Sequence, residues 1–327
     1  MKQWQDFIET QPREMVEENF ICDASQLGLI LVTGEDAEHF VQNQLSNDVA
    51  LIDEEHHQLS SYSTPKGRML GVFRVIRISN GYILVTARSS VLPLLQRLHH
   101  YIVQAQVNLA DASDHFARFA LQSDADAVSR YELLPREPGQ TLQNDSLISL
   151  QLEPSGKQRR YLVMCLVAEE AIDLWNGFLS SVQVSDFNAW RLADIRAGIP
   201  TIYPETSEEF VLQMANLTAL NGVSFKKGCY PGQEIVARMQ YLGKLKRRMF
   251  LARIETGELP QPGDELVASG KDAADGSGKV VDAAFDSDGD CYCLYIAQIA
   301  RAEAGGLELL TQPASKIENL DLPYSLE

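Results

Sequence analysis

The segment KKGCYPGQE, residues 226–234, places one cysteine where cations and a helix start could ionise it. Cys229 follows Lys226 and Lys227, and Pro231 is well tolerated as the first residue of a helix. Unpaired amides at a helix start and nearby ammonium groups both favour the thiolate, the reactive form of a thiol. The pattern therefore predicts a functional thiol for redox, metal or nucleophilic chemistry, although the sequence shows no base to activate it. The alternative interpretation is a small residue packed at a helix start, with the lysines in solvent.

The wider segment 226–248 concentrates positive charge in an acidic protein. It holds seven of the 28 basic residues and one acid, Glu234, in a chain of net charge -17. Such a cluster indicates a site for an anion, which could be a ligand carboxylate, a phosphate or an RNA backbone. Charge alone fits a solvated loop equally well.

Length and composition restrict the class of protein. At 327 residues the chain exceeds one compact core, so two or three domains are expected. The excess of Asp and Glu, 45 against 28 Lys and Arg, argues against nucleic-acid binding by the whole surface. Five cysteines are too few and too scattered for a disulfide framework, which indicates a reducing cytoplasm. No apolar stretch approaches the ~18 residues of a membrane span, and the first residues do not resemble a signal peptide.

Other residues that could do chemistry have simpler interpretations. The run DSDGD, residues 286–290, matches a calcium loop only loosely and predicts a hairpin turn. Cys291 and Cys293 share one face of a strand but are too few to hold a metal, so no metal site is expected. The pairs His56-His57 and His99-His100 are expected at the surface. Trp190 could be a flat stacking surface, or it could pack in the core of an amphipathic helix.

Two strand-and-helix passes are predicted. A strand over 27–34 precedes a helical stretch, and residues 67–87 predict a hairpin around Asn80-Gly81. Another helix is expected to bury one face, formed by Leu92, Leu95, Leu98 and Ile102. The second pass begins with a strand over 159–167, followed by two helices, of which the latter ends at Gly198.

The last third of the chain has a different pattern. From residue 245 onward, Gly, Pro and Asp separate short strands without a helix, which is typical of a small barrel or sandwich. We therefore predict an α+β protein with two domains, residues 1–244 and 245–327, and the two passes in the first suggest a duplicated split β-α-β unit.

One long motif identifies a family. The stretch LNGVSFKKGCYPGQEIVAR closely resembles the K-G-C-Y-x-G-Q-E signature of the YgfZ type of folate-binding, tRNA-modifying proteins. The resemblance continues in VTGEDAEHFVQNQLSNDV, PKGRMLGVFRV, RAGIPTI, MANLTALNGVSF and the ending LPYSL. The family is in turn similar to the aminomethyltransferase (T-protein) of the glycine cleavage system. The signature residues in this chain are Lys227, Gly228, Cys229, Tyr230, Gly232, Gln233 and Glu234, with Arg238 just beyond.

The resemblance implies a fold, a ligand and a role. The implied GcvT-like fold has two intertwined ferredoxin-like domains, which form a folate-binding region, followed by a small β-barrel. The implied ligand is tetrahydrofolate or a related reduced folate, and Trp190 falls where the family has an aromatic residue lining the folate site. The implied role is to support the synthesis or repair of iron–sulfur enzymes, including those that modify tRNA, without a defined reaction.

Three positions depart from the pattern of the related proteins. Where the T-protein has an aspartate, this chain has Leu70, Gly71 and Val72, so aminomethyl transfer is not expected. Arg196 stands where T-proteins have a glutamate that contacts the pterin. Leu27 replaces an aromatic residue of some relatives and so offers a weaker stacking surface.

Two main hypotheses follow from the sequence. The first is a folate-binding accessory protein with Cys229 as its functional thiol and with Leu27, Trp190, Arg196, Lys227 and Arg238 as ligand contacts. The second is a folate-dependent one-carbon transferase with an altered site. A further alternative is an RNA-binding module that uses residues 226–248.

Overall fold

The computed structural model describes residues 1–12, 14–270 and 276–326. The helices in these ranges are α1 Lys2–Glu9, α2 Ala37–Gln44, α3 Val91–His99, α4 Ala125–Val128, α5 Ala168–Phe178, α6 Phe187–Arg196, α7 Gln233–Leu242 and α8 Ile299–Ala304. The strands are β1 Phe20–Asp23, β2 Leu27–Thr33, β3 His57–Ser63, β4 Met69–Ile78, β5 Gly81–Ala87, β6 Asn108–Asp111, β7 Ala117–Ser123, β8 Thr141–Gln143, β9 Leu147–Ser155, β10 Gln158–Cys165, β11 Gln183–Val184, β12 Arg247–Glu255, β13 Glu265–Ala268, β14 Gly278–Phe285, β15 Cys291–Gln298, β16 Leu307–Leu309 and β17 Lys316–Leu320. None of the helices in the described ranges is long and apolar enough to cross a membrane.

The chain divides into two compact units that alternate along the sequence. The first unit contains residues 1–42, 48–58 and 73–190, and the second contains 43–47, 59–72 and 191–327. This division by compactness differs from the predicted domains 1–244 and 245–327, although β12 does begin close to the predicted boundary. The 245 boundary stays a prediction.

The first unit contains a six-stranded sheet in the order β11-β1-β7-β10-β9-β8. The second half of its central strand β10, residues 161–165, is a continuous apolar run because both faces of this part are buried. Tyr161 and Val163 pack with Trp175 of α5 on one face, whereas Leu162 and Met164 belong to the cluster on the other face. A run of consecutive apolar residues is therefore what this position in the sheet requires.

A second sheet has five strands in the order β3-β4-β5-β2-β6. The predicted hairpin is confirmed, since β4 and β5 are antiparallel and Ile78 pairs with Gly81 across the turn. The strand predicted over 27–34 is β2, and the backbone turns at Gly34, which has a φ of +116°.

The third sheet lies in the second unit and forms a nearly closed barrel, in the order β16-β13-β14-β15-β12-β17. Every second residue of β12 and β15 belongs to one apolar cluster, in which the rings of Phe250 and Tyr295 stack with centroids 5.4 Å apart. The predicted turn at 286–290 joins β14 to β15, where the amide of Asp286 donates to the carbonyl of Asp290 at 2.9 Å. The α+β, GcvT-like fold class expected from the sequence is confirmed.

Several details differ from the sequence predictions. Leu92 was expected on the buried face of α3 but is 63% exposed, while Val91 and Leu94 are buried instead. The region beyond residue 245 does contain a helix, α8, which follows β15 directly. His57 was expected at the surface but is 7% exposed. Whether Leu92 and His57 are buried depends on packing against residues that lie elsewhere in the sequence, so it could not be predicted from the local pattern.

Candidate functional site

The loop 226–232 is anchored by the buried side chain of Lys227. Its ammonium donates hydrogen bonds to the carbonyl oxygens of Leu45 and Asn47, both at 2.7 Å. It also lies 5.4 Å from the centroid of the Tyr230 ring, a cation–π distance. Lys227 is 8% exposed, and its ammonium is directed to these backbone carbonyls. A ligand contact by Lys227 stays a prediction.

The segment that receives Lys227 carries its own buried hydrogen bonds. The Ser46 hydroxyl donates to the carbonyl of Gly222 at 2.7 Å and accepts from the amide of Ser61 at 2.8 Å. The side-chain amide of Asn47 donates to the carbonyls of Leu59 and Asn221, at 2.9 and 2.7 Å. These residues were not anticipated from the sequence, and the signal that could have found them is the mostly polar stretch 43–48, which begins in the last turn of α2.

Gly232 sets the course of the chain into α7. Its φ is +84°, and a Cβ at this position would lie 2.6 Å from the Cα of Gly67 and 2.7 Å from the carbonyl oxygen of Thr64. Only glycine therefore lets the two loops approach so closely. The helix begins at Gln233 with Gly232 as its N-cap, two residues later than predicted, because the left-handed backbone at Gly232 interrupts helical geometry.

Cys229 is the one exposed cysteine of the five, all of which lie in the described ranges. Burial raises the pKa of the Cys165 and Cys291 thiols to about 12 and raises those of Cys22 and Cys293 well above the ordinary value. A water-borne reagent or partner would therefore meet the Cys229 thiol before any other.

Several buried polar atoms of the second unit have no hydrogen-bond partner within the described residues. They include Gln44 Oε1, Ser63 Oγ, Gln213 Oε1 and the hydroxyl of Tyr230. Burial raises the pKa of Tyr230 to about 12, so the phenol stays protonated and remains a donor. Unpaired buried groups of this kind are costly and commonly mark sites for water or a polar ligand.

Leu27 and Trp190 lie in the same apolar cluster of the first unit. Trp190 is 2% exposed, and the guanidinium carbon of Arg160 lies 4.3 Å from the centroid of its ring. Leu27 is partly buried at the start of β2. Trp190 thus packs in the core, which is one of the two roles predicted for it, and stacking on a ligand stays a prediction.

The two predicted arginine contacts lie in the second unit in different surroundings. Arg196 pairs with Asp286 at 3.2 Å and lies 4.2 Å from the ring centroid of Tyr292. Arg238 is exposed on α7. An anionic ligand at Arg196 would compete with Asp286 for the guanidinium, whereas Arg238 is open to solvent. Both ligand contacts stay predictions.

A buried ion pair of the second unit was not anticipated. Arg191 of α6 is paired with Asp282 of β14, which also accepts a hydrogen bond from the Tyr203 hydroxyl at 3.0 Å. Burial lowers the pKa of Arg191, but Asp282 outweighs burial and the net direction is upward. No group of three or more His, Cys, Asp or Glu side chains placed to hold a metal ion occurs in the described ranges.

Comparison with known proteins identifies similar sequences over most of this chain. Residues 1–125 match the GCVT N-terminal domain. The chain is 30% identical over 316 residues to the tRNA-modifying protein YgfZ of Colwellia psychrerythraea, covering 94% of each chain. It is 30% identical over 300 residues to the YgfZ of Photobacterium profundum, covering 92% of this chain and 90% of the relative. For the YgfZ of Shigella sonnei the identity is 29% over 303 residues, with 91% of each covered.

A solved structure supports the fold. The glycine cleavage system aminomethyltransferase T from Bartonella henselae superposes with a TM-score of 0.70 at 15% identity, over 98% of this chain and 89% of that protein. Identity this low is informative about the fold only. The sequence matches above, which cover at least 90% of both chains, show that this protein belongs to the family of the tRNA-modifying protein YgfZ.

Proposed function

We propose that this protein is a folate-binding accessory protein that supports tRNA modification, with Cys229 as its functional thiol. The observation that carries the proposal is the anchored loop 226–232, in which buried Lys227 fixes the backbone while Cys229 stays exposed. A structural cysteine would have no need of such exposure. The relatives named tRNA-modifying proteins have nearly the same length, which supports transfer of the role to this chain.

The proposed ligand is tetrahydrofolate or a related reduced folate. Unpaired buried groups, including Gln213 Oε1 and the Tyr230 hydroxyl, support a polar ligand in the second unit. Within the second unit, the glutamate tail would gain from the charges of Arg196 and Arg238. We propose that these contacts belong to residues 1–244, with the barrel as a separate domain.

The proposed partners are iron–sulfur enzymes, including those that modify tRNA. A reducing cytoplasm suits both such enzymes and five free cysteines. The protein would help to make or maintain these enzymes, with bound folate as the effector and no defined reaction of its own.

We expect the Cys229→Ala variant to fail where the wild-type protein restores function in a strain that lacks this gene. The readouts are tRNA thiolation, measured by nucleoside mass spectrometry, and the activity of an iron–sulfur enzyme in the extract. Cys291→Ala is the matched control, because it removes a buried thiol of the barrel and should leave both readouts restored. Full restoration by Cys229→Ala would refute the thiol's role, and failure of the wild-type gene would refute the accessory role.

We expect tetrahydrofolate to bind and its affinity to fall as salt rises, since the glutamate tail would contact cations. Titration calorimetry at two salt concentrations measures this, and Arg238→Gln should weaken binding and reduce its salt dependence. Lys157→Gln, an exposed cation of the first unit, is the control. If millimolar ligand gave no heat and no thermal shift, a folate role would be excluded, and the genetic experiment would still stand by itself.

Aminomethyl transfer is the alternative activity. Leu70 and Val72 are buried in β4 and offer no carboxylate where the T-protein has its aspartate, so no general base is available there. Turnover of an aminomethyl-loaded lipoyl carrier protein with tetrahydrofolate would favour this alternative. A pure RNA-binding module would instead bind RNA and ignore folate.

A further inference from the structure

A largely exposed basic surface with an aromatic side chain lies on the C-terminal half of α7 and the start of β12. Arg247, at the start of β12, is partly buried and donates to the carbonyl oxygen of Gly276 at 2.6 Å. We define the α7–β12 patch by Arg238, Tyr241, Lys244, Lys246 and Arg247. We propose that this patch binds unpaired nucleotides of an RNA, with phosphates on the cations and a base stacked on Tyr241. The identification of that RNA as a tRNA rests on the function proposed above, whereas the chemistry of the patch does not.

The charge of the patch is nearly unopposed. Residues 235–248 contain five cations and no acid, in a chain of net charge -17. Arg248 is paired with Glu303 at 3.1 Å. The four cations of the patch make no ion pair with any carboxylate of the described residues. Four uncompensated charges on a strongly acidic protein indicate a polyanionic partner at this place.

The patch also exposes apolar surface that charge alone does not explain. Tyr241 is 70% exposed and Leu242 is 85% exposed at the end of α7. Their spacing of three and four residues from Arg238 places all three on one helix face. Phe225 contacts the Tyr241 ring edge-on, with centroids 6.1 Å apart, and most of the Tyr241 side chain remains open to solvent.

The patch is narrower than the basic segment 226–248 seen in the sequence. Lys227 is buried and bonded to two backbone carbonyls, and Tyr230 is 7% exposed. These residues build the anchored loop and are not available to a macromolecule. The exposed cations begin again at Arg238, on the helix that follows the loop.

The combination favours single-stranded RNA over the other polyanions. An acidic peptide would use the cations but would gain little from an exposed tyrosine. A duplex offers phosphates but keeps its bases stacked on one another, whereas unpaired loops of an RNA present base faces to aromatic side chains. A groove of cations with an interleaved aromatic ring is the usual means of binding unpaired nucleotides.

We expect a fluorescently labelled, unmodified tRNA transcript to bind the full-length protein in an anisotropy titration, more tightly than a perfect RNA duplex of equal length. Lys244→Gln combined with Lys246→Gln should weaken binding about tenfold and make the slope of log K against log salt shallower by about 1.4, at about 0.7 per lost phosphate contact. Tyr241→Ala should also weaken binding about tenfold but leave the salt slope unchanged, and Tyr241→Phe should retain affinity.

The controls separate this proposal from its competitors. Lys157→Gln combined with Lys316→Gln makes the same change in net charge at exposed positions outside the patch, and should leave binding unchanged. Unchanged thermal unfolding of every variant shows that the fold is intact. Equal weakening by the control pair would overturn the proposal, as would polyglutamate binding as tightly as RNA, which would indicate a protein partner. Folate binding without RNA binding would refute the patch and leave the proposed folate role standing.

Discussion

Replacing Asp282 by alanine is expected to lower the free energy of unfolding of the second unit by about 4 kcal/mol. The carboxylate is 3% exposed and neutralises Arg191, whose side chain is 21% exposed. It also accepts the hydrogen bond of the Tyr203 hydroxyl. The substitution therefore leaves a largely buried cation and a phenol without their acceptor, which costs far more than the loss of one favourable contact.

Urea unfolding measures this effect, with the two units followed by different probes. The three tryptophans, Trp4, Trp175 and Trp190, all belong to the first unit, so their fluorescence follows that unit alone. Circular dichroism follows both. Asp290→Ala is the matched control, because it breaks an aspartate–arginine pair of the same barrel whose two side chains are 48% and 44% exposed. Equal shifts for the two variants would contradict the expected role of burial.

The first unit is expected to lose about 3 kcal/mol of stability as the pH falls from 6.5 to 4, owing to His57. Nε2 of His57 lies 3.0 Å from the carbonyl oxygen of Gln151 and so must carry the proton of the neutral ring. Nδ1 is buried without a partner in the described residues, so a second proton there has no acceptor. Burial, together with the charge of Arg74, lowers the pKa of His57 to about 4.

The direction of this pH dependence follows from the number of protons bound in the native and unfolded states. Between pH 6.5 and 4 the unfolded chain protonates His57 while the native protein does not, so stability falls as the pH falls and levels off below 4. Burial raises the pKa of Glu153, but the charge and hydrogen bonds of Arg74 outweigh burial and lower this pKa to about 2. The Arg74–Glu153 pair therefore contributes stability above pH 4.5 that is lost as the pH falls toward 2. Its contribution is smaller than that of His57 because the Glu153 side chain is 35% exposed.

Tryptophan fluorescence in urea at a series of pH values tests this dependence in the unit that contains His57. His57→Gln should have a flatter profile between pH 6.5 and 4, whatever its stability at neutral pH. His56→Gln, at the adjacent exposed position, should keep the slope of the wild-type protein. A slope that survives in His57→Gln would assign the acid sensitivity to other groups.

Local sequence patterns predicted the elements well where each pattern is self-contained. The Asn80-Gly81 turn, the strand β2 and the strands of the barrel follow from alternation and turn residues within a few positions. The side chains that α3 buries could not be predicted from helical spacing alone. Leu92 has the right spacing but faces solvent, because the packing partners of α3 lie elsewhere in the chain.

The candidate site shows the same division between local and distant information. Cys229 was identified from its neighbours, and its exposure agrees with a functional role. Burial of Lys227 could not be foreseen, because its two acceptors, Leu45 and Asn47, lie about 180 residues away. Likewise, Arg191 and Asp282 are 91 residues apart and neither has an informative neighbour.

The bonds between Lys227 and the segment 43–47 also constrain the order of events during synthesis. A ribosome adds about 5–20 residues per second, so this segment emerges roughly 10–40 s before the lysine that will bind it. Throughout that interval the polar groups of Ser46 and Asn47 have none of their partners at 221–227. The second unit therefore cannot mature from its amino-terminal pieces while the chain is growing, and nascent chains arrested before residue 227 should remain substrates for chaperones and proteases.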